Sequence, residues 1–222
     1  MRPAQVQAVL FDLDGTLIDS APDLAAAANR LRVQHGLPAL PYQALRPMVG
    51  TGARGMVHAA FGVGPDDARF IGLRDAFLDL YAQGLLAHTR VFDDMAPVID
   101  RLDTQGIRWG IVTNKATRFA APIVDGLGLN SRSAVLICGD STPHAKPHPE
   151  PLWAAARHMQ VDPAQCVYVG DDERDIVAGR AAGMVTLAAA WGYLGQGEPI
   201  EAWGADHTLS CPDELLQWLD LA

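Results

Sequence analysis

The chain has 222 residues and only three cysteines, Cys138, Cys166 and Cys211. They are far apart, odd in number and in none of the usual metal spacings, so a disulfide scaffold and a zinc module are both unexpected, and a reducing cytoplasm suits them. No Lys/Arg block occurs. Against 17 basic residues stand 26 acidic ones, a formal charge of −9, which gives nucleic acid or an anionic membrane little to hold. An anionic substrate would need a metal or a few local cations to offset that field. No long apolar segment develops before Asp12 and Asp14, so neither a signal peptide nor a membrane span is expected. Internal repeats and low-complexity linkers are missing too. With 49% hydrophobic residues, the composition predicts a globular cytoplasmic protein with an ample core.

What the chain does have is a series of short apolar runs rich in β-formers that stop at Gly, Asp, Asn or Thr. QAVLFDLD (7–14), RWGIVTN (108–114), AVLICGD (134–140), CVYVGDD (166–172) and TLAAAWG (186–192) read as strands covered on both faces. Helical patterns such as PEPLWAAARHM (149–159) and DIVAGRAAGM (175–184) alternate with the later strands. Alternation of this kind predicts an α/β fold, a doubly wound parallel sheet joined by right-handed crossovers. Residues 18–88 break the pattern: they read as helices without strong strands, with Asp19 or Ser20 capping the first and Gly36 with Pro38 ending it. The expected organisation is a core of 1–17 and 89–222 with a small all-helical insertion, 18–88, after the first strand.

Acids and hydroxyls cluster at the carboxyl ends of these strands, where open α/β sheets bind ligands. Asp12 and Asp14 close the first strand, Thr113 and Asn114 the second, Asp171 and Asp172 the fourth. Core packing gives no reason to line one rim with this combination. Asp12 and Asp14 could be a nucleophile and its acid/base partner, metal ligands, or both. A carboxylate can attack phosphorus and split a hard hydrolysis into two easier steps, with developing charge balanced by hard-oxygen ligands and Mg²⁺. Asp171 and Asp175 would complete or orient such a site. Gly15 and Thr16 would offer backbone N–H groups to a phosphate. Lys146 would supply a fixed cation, Thr113 a hydroxyl, and Asp172 would help hold Lys146 or be solvated.

VLFDLDGTLID (9–19), VTN (112–114), KPHPEP (146–151) and VGDDERD (169–175), in that order and with a helical insertion after the first, resemble the four motifs of the haloacid dehalogenase superfamily. The resemblance spans nearly the whole chain. It implies Asp12 as nucleophile, Asp14 as general acid/base, Thr113 and Lys146 as phosphate contacts and Asn114 among the substrate-binding residues. It also implies Mg²⁺ on Asp12, the backbone carbonyl of Asp14, and Asp171, under a mobile cap formed by the insertion. Dehalogenases proper lack the second aspartate, so Asp14 favours phosphoryl transfer to water over carbon–halogen cleavage. Within the superfamily, RPMVGTGARGMV, WGIVTNKATRFAAPIV, RSAVLICGD, KPHPEPL and WGAD resemble phosphoglycolate phosphatases and, more closely, N-acetylmuramic acid 6-phosphate phosphatases of cell-wall recycling. The partner implied is a small phosphorylated metabolite, met by a monomer or small homo-oligomer.

GTGARG (50–55) fits the dinucleotide pattern letter for letter, yet no strand of any length precedes it. It is expected to be a flexible turn of the cap, with Arg54 reaching a substrate carboxylate or phosphate. His144 and His148 lack further ligands at metal spacing and read as loop residues. Trp191 and Tyr193 read as packing at the edge of the core. A phosphomutase and a non-enzymatic phosphoacceptor are the rival readings; the second is disfavoured by the insertion and by the DxDGT order.

Overall fold

Four apolar residues, all buried, make the first strand, β1 (Ala8–Phe11). Their side chains alternate between the two sheet faces: Val9 and Phe11 enter one core cluster, Ala8 and Leu10 another. The computed structural model describes residues 6–195 and 197–221; residues 1–5 and Ala222 of the expected core, and Gln196, lie outside the described residues.

After β1 the chain forms β2 (Ile18–Asp19), α1 (Ala21–Gln34), α2 (Tyr42–Leu45), a 3₁₀ turn at Arg46–Thr51, α3 (Gly52–Phe61) and α4 (Phe70–Ala82). It returns through β3 (Arg90–Val91), α5 (Met95–Thr104), β4 (Arg108–Val112), α6 (Thr117–Gly126), β5 (Leu136–Ile137) and α7 (Glu150–Met159). It ends with β6 (Cys166–Gly170), α8 (Glu173–Ala182), β7 (Val185–Ala189), β8 (His207–Leu209) and α9 (Asp213–Trp218).

The six-stranded sheet has the order β5-β4-β1-β6-β7-β8, and every pairing in it is parallel. One face packs Val98 and Ile99 of α5, Ile123 of α6 and Leu215 of α9. The other packs Leu152 and Ala155 of α7 and Ala178 and Ala182 of α8. Helices therefore cover both faces, the doubly wound α/β arrangement expected from the strand runs. The sheet grows outward in both directions from β1, so the switch point that binds ligands in such folds lies at the carboxyl ends of β1, β4 and β6. Trp109, 1% exposed, anchors this centre edge-on to Phe11 at 6.3 Å, and its Nε1 donates to Asp103 at 2.8 Å. Truncating so large a buried ring costs about 3–5 kcal/mol.

The helices between β2 and β3 pack on one another, α1 against α3 and α4, and their apolar faces join the same cluster as one face of the sheet. The entering and returning segments are tied at their base. Ile18 pairs with Val91 and Asp19 with Arg90, while buried Asp23 accepts hydrogen bonds from the backbone N–H groups of His88 and Thr89 and from the Thr89 hydroxyl. Of the two caps expected for α1, the Asp19 carboxylate accepts the Ala21 N–H at 3.3 Å and Ser20 makes no side-chain cap. Two local expectations change. β8 is a sixth strand absent from the sequence reading, because HTL is short and half polar. GTGARG is no flexible turn: the 3₁₀ turn runs straight into α3, and Gly52, at φ +67°, makes the left-handed step between them.

Candidate active site

The β1 ladder extends one residue past the strand, since Asp12 N–H donates to the Val169 carbonyl at 2.9 Å. The chain then turns sharply. Gly15 sits at φ +92° and donates its N–H to the Ile18 carbonyl at 2.9 Å, while the N–H groups of Leu17 and Ile18 both reach the Leu13 carbonyl. A β-carbon at Gly15 would overlap the Asp171 carboxylate, so glycine is required by contact as well as by conformation. The turn leaves Asp12 and Asp14 in the wall of a cavity of about 340 Å³. Thr113, Asn114 and Lys115 reach it from the end of β4, Asp171, Asp172 and Asp175 from the end of β6 and the start of α8, and Lys146 from the loop before α7.

The motif that delivers the last carboxylates also builds the helix behind them. Asp172 caps α8, accepting the Arg174 N–H at 2.9 Å, and Asp175 returns to accept the Asp172 N–H at 3.2 Å, a reciprocal capping box.

Buried Lys146 is the electrostatic hub. Its Nζ lies 2.7 Å from Asp12 Oδ1, 2.6 Å from Asp175 Oδ1, 2.7 Å from the Tyr168 hydroxyl and 2.9 Å from the Val112 carbonyl. Asn114 fixes the Lys146 backbone from both ends of its amide, Nδ2 donating to the carbonyl and Oδ1 accepting the N–H, each at 2.9 Å. Asp171 is held by the Thr16 hydroxyl and by the Tyr193 N–H, both at 2.8 Å. Asp14 faces away from this group, accepting from the Ser20 hydroxyl and from Lys115 Nζ at 2.9 Å.

Negative charge exceeds positive charge in the inner group. Burial, followed by the Asp12 charge, pushes Asp171 well above the usual carboxylate range. Asp12 is pushed up to about 7, mainly by burial; Lys146 opposes this and Asp175 adds to it. Burial alone would lower Lys146 and Lys115, but Asp12 with Asp175 around the first, and Asp14 with Tyr81 around the second, together hold both ammonium groups above their ordinary value. Asp12, Asp171 and Asp175 can bring one oxygen each within 4.8 Å of one another. Three buried carboxylate oxygens with unbalanced charge are the donor set of a hard divalent cation, so these residues fit a metal.

Not every expected site residue stands where it was placed. Asp12, Asp14, Thr113, Asn114, Lys146, Asp171, Asp172 and Asp175 all line the one cavity. Gly15 and Thr16 are buried behind it, the Gly15 N–H spent on Ile18 and the Thr16 hydroxyl on Asp171. The Asn114 side chain is committed to Lys146. Asp175 stands among the carboxylates that can share an ion, not only behind them. Asp172 neither holds Lys146 nor is left to solvent: it pairs with Arg174 at 2.7 Å, which outweighs burial and keeps its carboxyl below the usual range. Arg54 is exposed on the first turn of α3 and lines a separate outer cleft beside Asp172 and Arg174.

Lys115, Ser20, Tyr168 and Arg174 escaped the sequence reading. Tyr193, expected as packing, also accepts the N–H groups of Ser20 and Ala21 at 2.8 and 3.0 Å, and Trp191 donates to the Thr16 carbonyl at 3.1 Å. Both rings brace the turn after β1. Lys115 was the most findable of these residues, as a cation directly after the Thr113-Asn114 pair.

A parallel sheet whose carboxyl edge gathers buried aspartates, a buried lysine and a threonine around one cavity is the arrangement of enzymes that run carboxylate chemistry at a sheet edge. Comparison with known proteins makes the class specific: residues 6–183 match the model of the haloacid dehalogenase-like hydrolases, and the chain belongs to that family. It is 42% identical over 222 residues to the N-acetylmuramic acid 6-phosphate phosphatase of Pseudomonas aeruginosa, covering 100% of this chain and 98% of that one. It is 47% identical over 210 residues to a phosphoglycolate phosphatase of Xanthomonas campestris, covering 94% of each. The crystal structure of a predicted phosphoglycolate phosphatase from Haemophilus somnus superimposes with a TM-score of 0.84 at 27% identity, covering 97% of this chain and 98% of that one.

Proposed function

We propose that this hydrolase is a Mg²⁺-dependent phosphomonoesterase that works through an aspartyl-phosphate on Asp12, with N-acetylmuramic acid 6-phosphate as the first candidate substrate. The observation that carries the reading is the convergence of Asp12, Asp14, Thr113, Lys146 and Asp171 on one cavity from four separate segments. Lys146 engages Oδ1 of Asp12, leaving Oδ2 to attack phosphorus and the cation beside the incoming phosphoryl group. The Thr113 hydroxyl donates to a phosphoryl oxygen. Asp14, held by Ser20 and Lys115, gives a proton to the leaving alcohol and then takes one from the water that hydrolyses the aspartyl-phosphate. Asp12, Asp171 and the backbone carbonyl of Asp14 would hold Mg²⁺, with the Asp175 carboxylate close enough to join them; when bound, the ion offsets charge on the phosphoryl oxygens.

Residues 18–88 act as a cap that closes over the site and excludes bulk water; the pairing of Ile18 and Asp19, where this segment begins, with Val91 and Arg90, just past its end, supports the division. Among the described residues no helix is long and apolar enough to cross a membrane. The enzyme is assigned to the cytoplasm, as a monomer or small homo-oligomer acting on a small metabolite.

Phosphoglycolate is the second reading, supported by the 47% identity to the Xanthomonas relative. Release of phosphate from the two esters, with and without Mg²⁺, separates them. A kcat/KM ratio of about a hundredfold, near 2.7 kcal/mol of transition-state binding, settles which ligand the cap is shaped for. Interconversion of sugar phosphates without phosphate release would instead identify a phosphomutase, and durable phosphorylation without turnover a phosphoacceptor.

A further inference from the structure

Four cations line the catalytic cavity: Lys115, Arg118, Lys146 and Arg174. Three of them are matched, Lys115 with Asp14, Lys146 with Asp12 and Asp175, and Arg174 with Asp172. Among the described residues Arg118 has no acidic partner. It is exposed on the first turn of α6, its guanidinium stacked 4.4 Å from the centre of the Phe119 ring. The backbone beneath it is fixed, because Asp140 accepts both the Thr117 N–H at 2.9 Å and the Thr117 hydroxyl at 2.5 Å.

The wall between Arg118 and the reacting end is continuous. Phe119 lies 5.5 Å from the Tyr81 ring, Lys115 Nζ lies 4.8 Å from the centre of that same ring, and Lys115 binds Asp14. Leu24, Phe77 and Leu78 complete an apolar flank. If Asp14 protonates the leaving oxygen, the organic part of the substrate starts at Asp14 and lies along this wall, with its far end at Arg118. A guanidinium that is pre-positioned, stacked and lacking an acid partner is a donor fork for a planar anion.

We propose that Arg118 is a specificity-determining residue, the receptor for a carboxylate on the alcohol portion of the phosphate ester. The inference rests on the phosphatase reading and deepens it. Glycolate and N-acetylmuramic acid, named in the relatives, are both carboxylic acids, so one subsite serves either and the neutral analogue of each is the discriminating probe.

The test is phosphate release from 2-phosphoglycolate and from N-acetylmuramic acid 6-phosphate, each against its carboxamide, with the wild-type enzyme, Arg118→Gln and Arg118→Lys in Mg²⁺. Wild type is expected to favour the better acid over its amide by about tenfold or more, the scale of one charge-assisted hydrogen-bond pair. Arg118→Gln is expected to collapse that ratio, chiefly by raising KM for the acid, with Arg118→Lys between. A ratio untouched by Arg118→Gln overturns the assignment. Equal losses on acid and amide also overturn it, since Arg118 would then serve the phosphoryl group common to both. No phosphate from any of the four esters with wild type sinks the phosphatase reading itself and the subsite with it.

Discussion

Lys115 Nζ lies 2.9 Å from Asp14 Oδ1, an ion pair between two separate strand ends that sets where the proposed proton carrier points. Lys115→Met should leave the Asp14 carboxylate held by Ser20 alone. Loss of this mostly buried partner is expected to cost about 1–3 kcal/mol of stability. Misplacing the acid is expected to lower kcat by about tenfold to a hundredfold, toward the lower end of what a positioned acid contributes. Denaturant melts and steady-state kinetics read the two effects, and unchanged kcat would count against Asp14 as the proton carrier.

The inner carboxylates link metal binding to pH. Asp12 and Asp171 are raised in the folded chain above their unperturbed value near 3.8, Asp12 to about 7. A carboxyl raised by folding stabilises the fold while protonated, fully below its unfolded pKa, and that contribution is lost as pH rises through the folded value. Metal-free protein is therefore expected to lose stability between about pH 4 and pH 8. A divalent cation needs both groups ionised and restores more at the upper end. Thermal melts with Mg²⁺ and with chelator should differ more at pH 8 than at pH 6. Equal shifts, or a larger shift at pH 6, would contradict this assignment of the metal ligands.

Asp171 is gripped from two sides by residues without side chains. A β-carbon at Gly15 or at Gly192 would overlap it. Gly15→Ala carries the added strain of φ +92° and is expected to cost about 1–3 kcal/mol. Gly192→Ala needs no left-handed backbone. Both should weaken Mg²⁺ activation by moving Asp171, visible as a higher Mg²⁺ concentration at half-maximal activity; Gly192→Ala with wild-type Mg²⁺ dependence would show that Asp171 tolerates displacement.

The sheet and most of its chemistry were legible because strand ends announce themselves: an apolar run that halts at Asp, Thr or Gly places its polar residue on the carboxyl edge. Asp12, Thr113 and Asp171 follow from that rule and from β1, β4 and β6 being neighbours in a parallel sheet. Lys115, Tyr168 and Tyr193 did not follow. Their roles depend on partners 101, 22 and 22 positions away in sequence, Asp14, Lys146 and Asp171, and no local pattern encodes such a meeting. Gly15 and Thr16 lie in the expected turn after β1, where the Gly15 N–H bonds the Ile18 carbonyl and the Thr16 hydroxyl bonds Asp171, contacts that the motif alone does not encode. Arg54 rides on the helix that begins at Gly52 and lines an outer cleft that shares Asp172 and Arg174 with the catalytic cavity, a position the glycine pattern alone does not give.

Arg174 joins the core to the helical insertion. Its guanidinium is paired with Asp172 and also donates to the Gly50 carbonyl in the 3₁₀ turn before α3. Arg174→Gln is expected to loosen that turn on the sheet, speeding amide exchange across residues 46–52 by about tenfold while the sheet amides stay protected. Exchange that is unchanged there would show that the insertion is held by its apolar face alone.

The most direct test of Asp12 as nucleophile is to quench the enzyme in acid during turnover of radiolabelled phosphate ester and map the label to a peptide. Label on the peptide that bears Asp12 in the wild type, with none in a folded and inactive Asp12→Asn variant, is the predicted result. Turnover by Asp12→Asn near the wild-type rate, or label carried by any other residue, would contradict it.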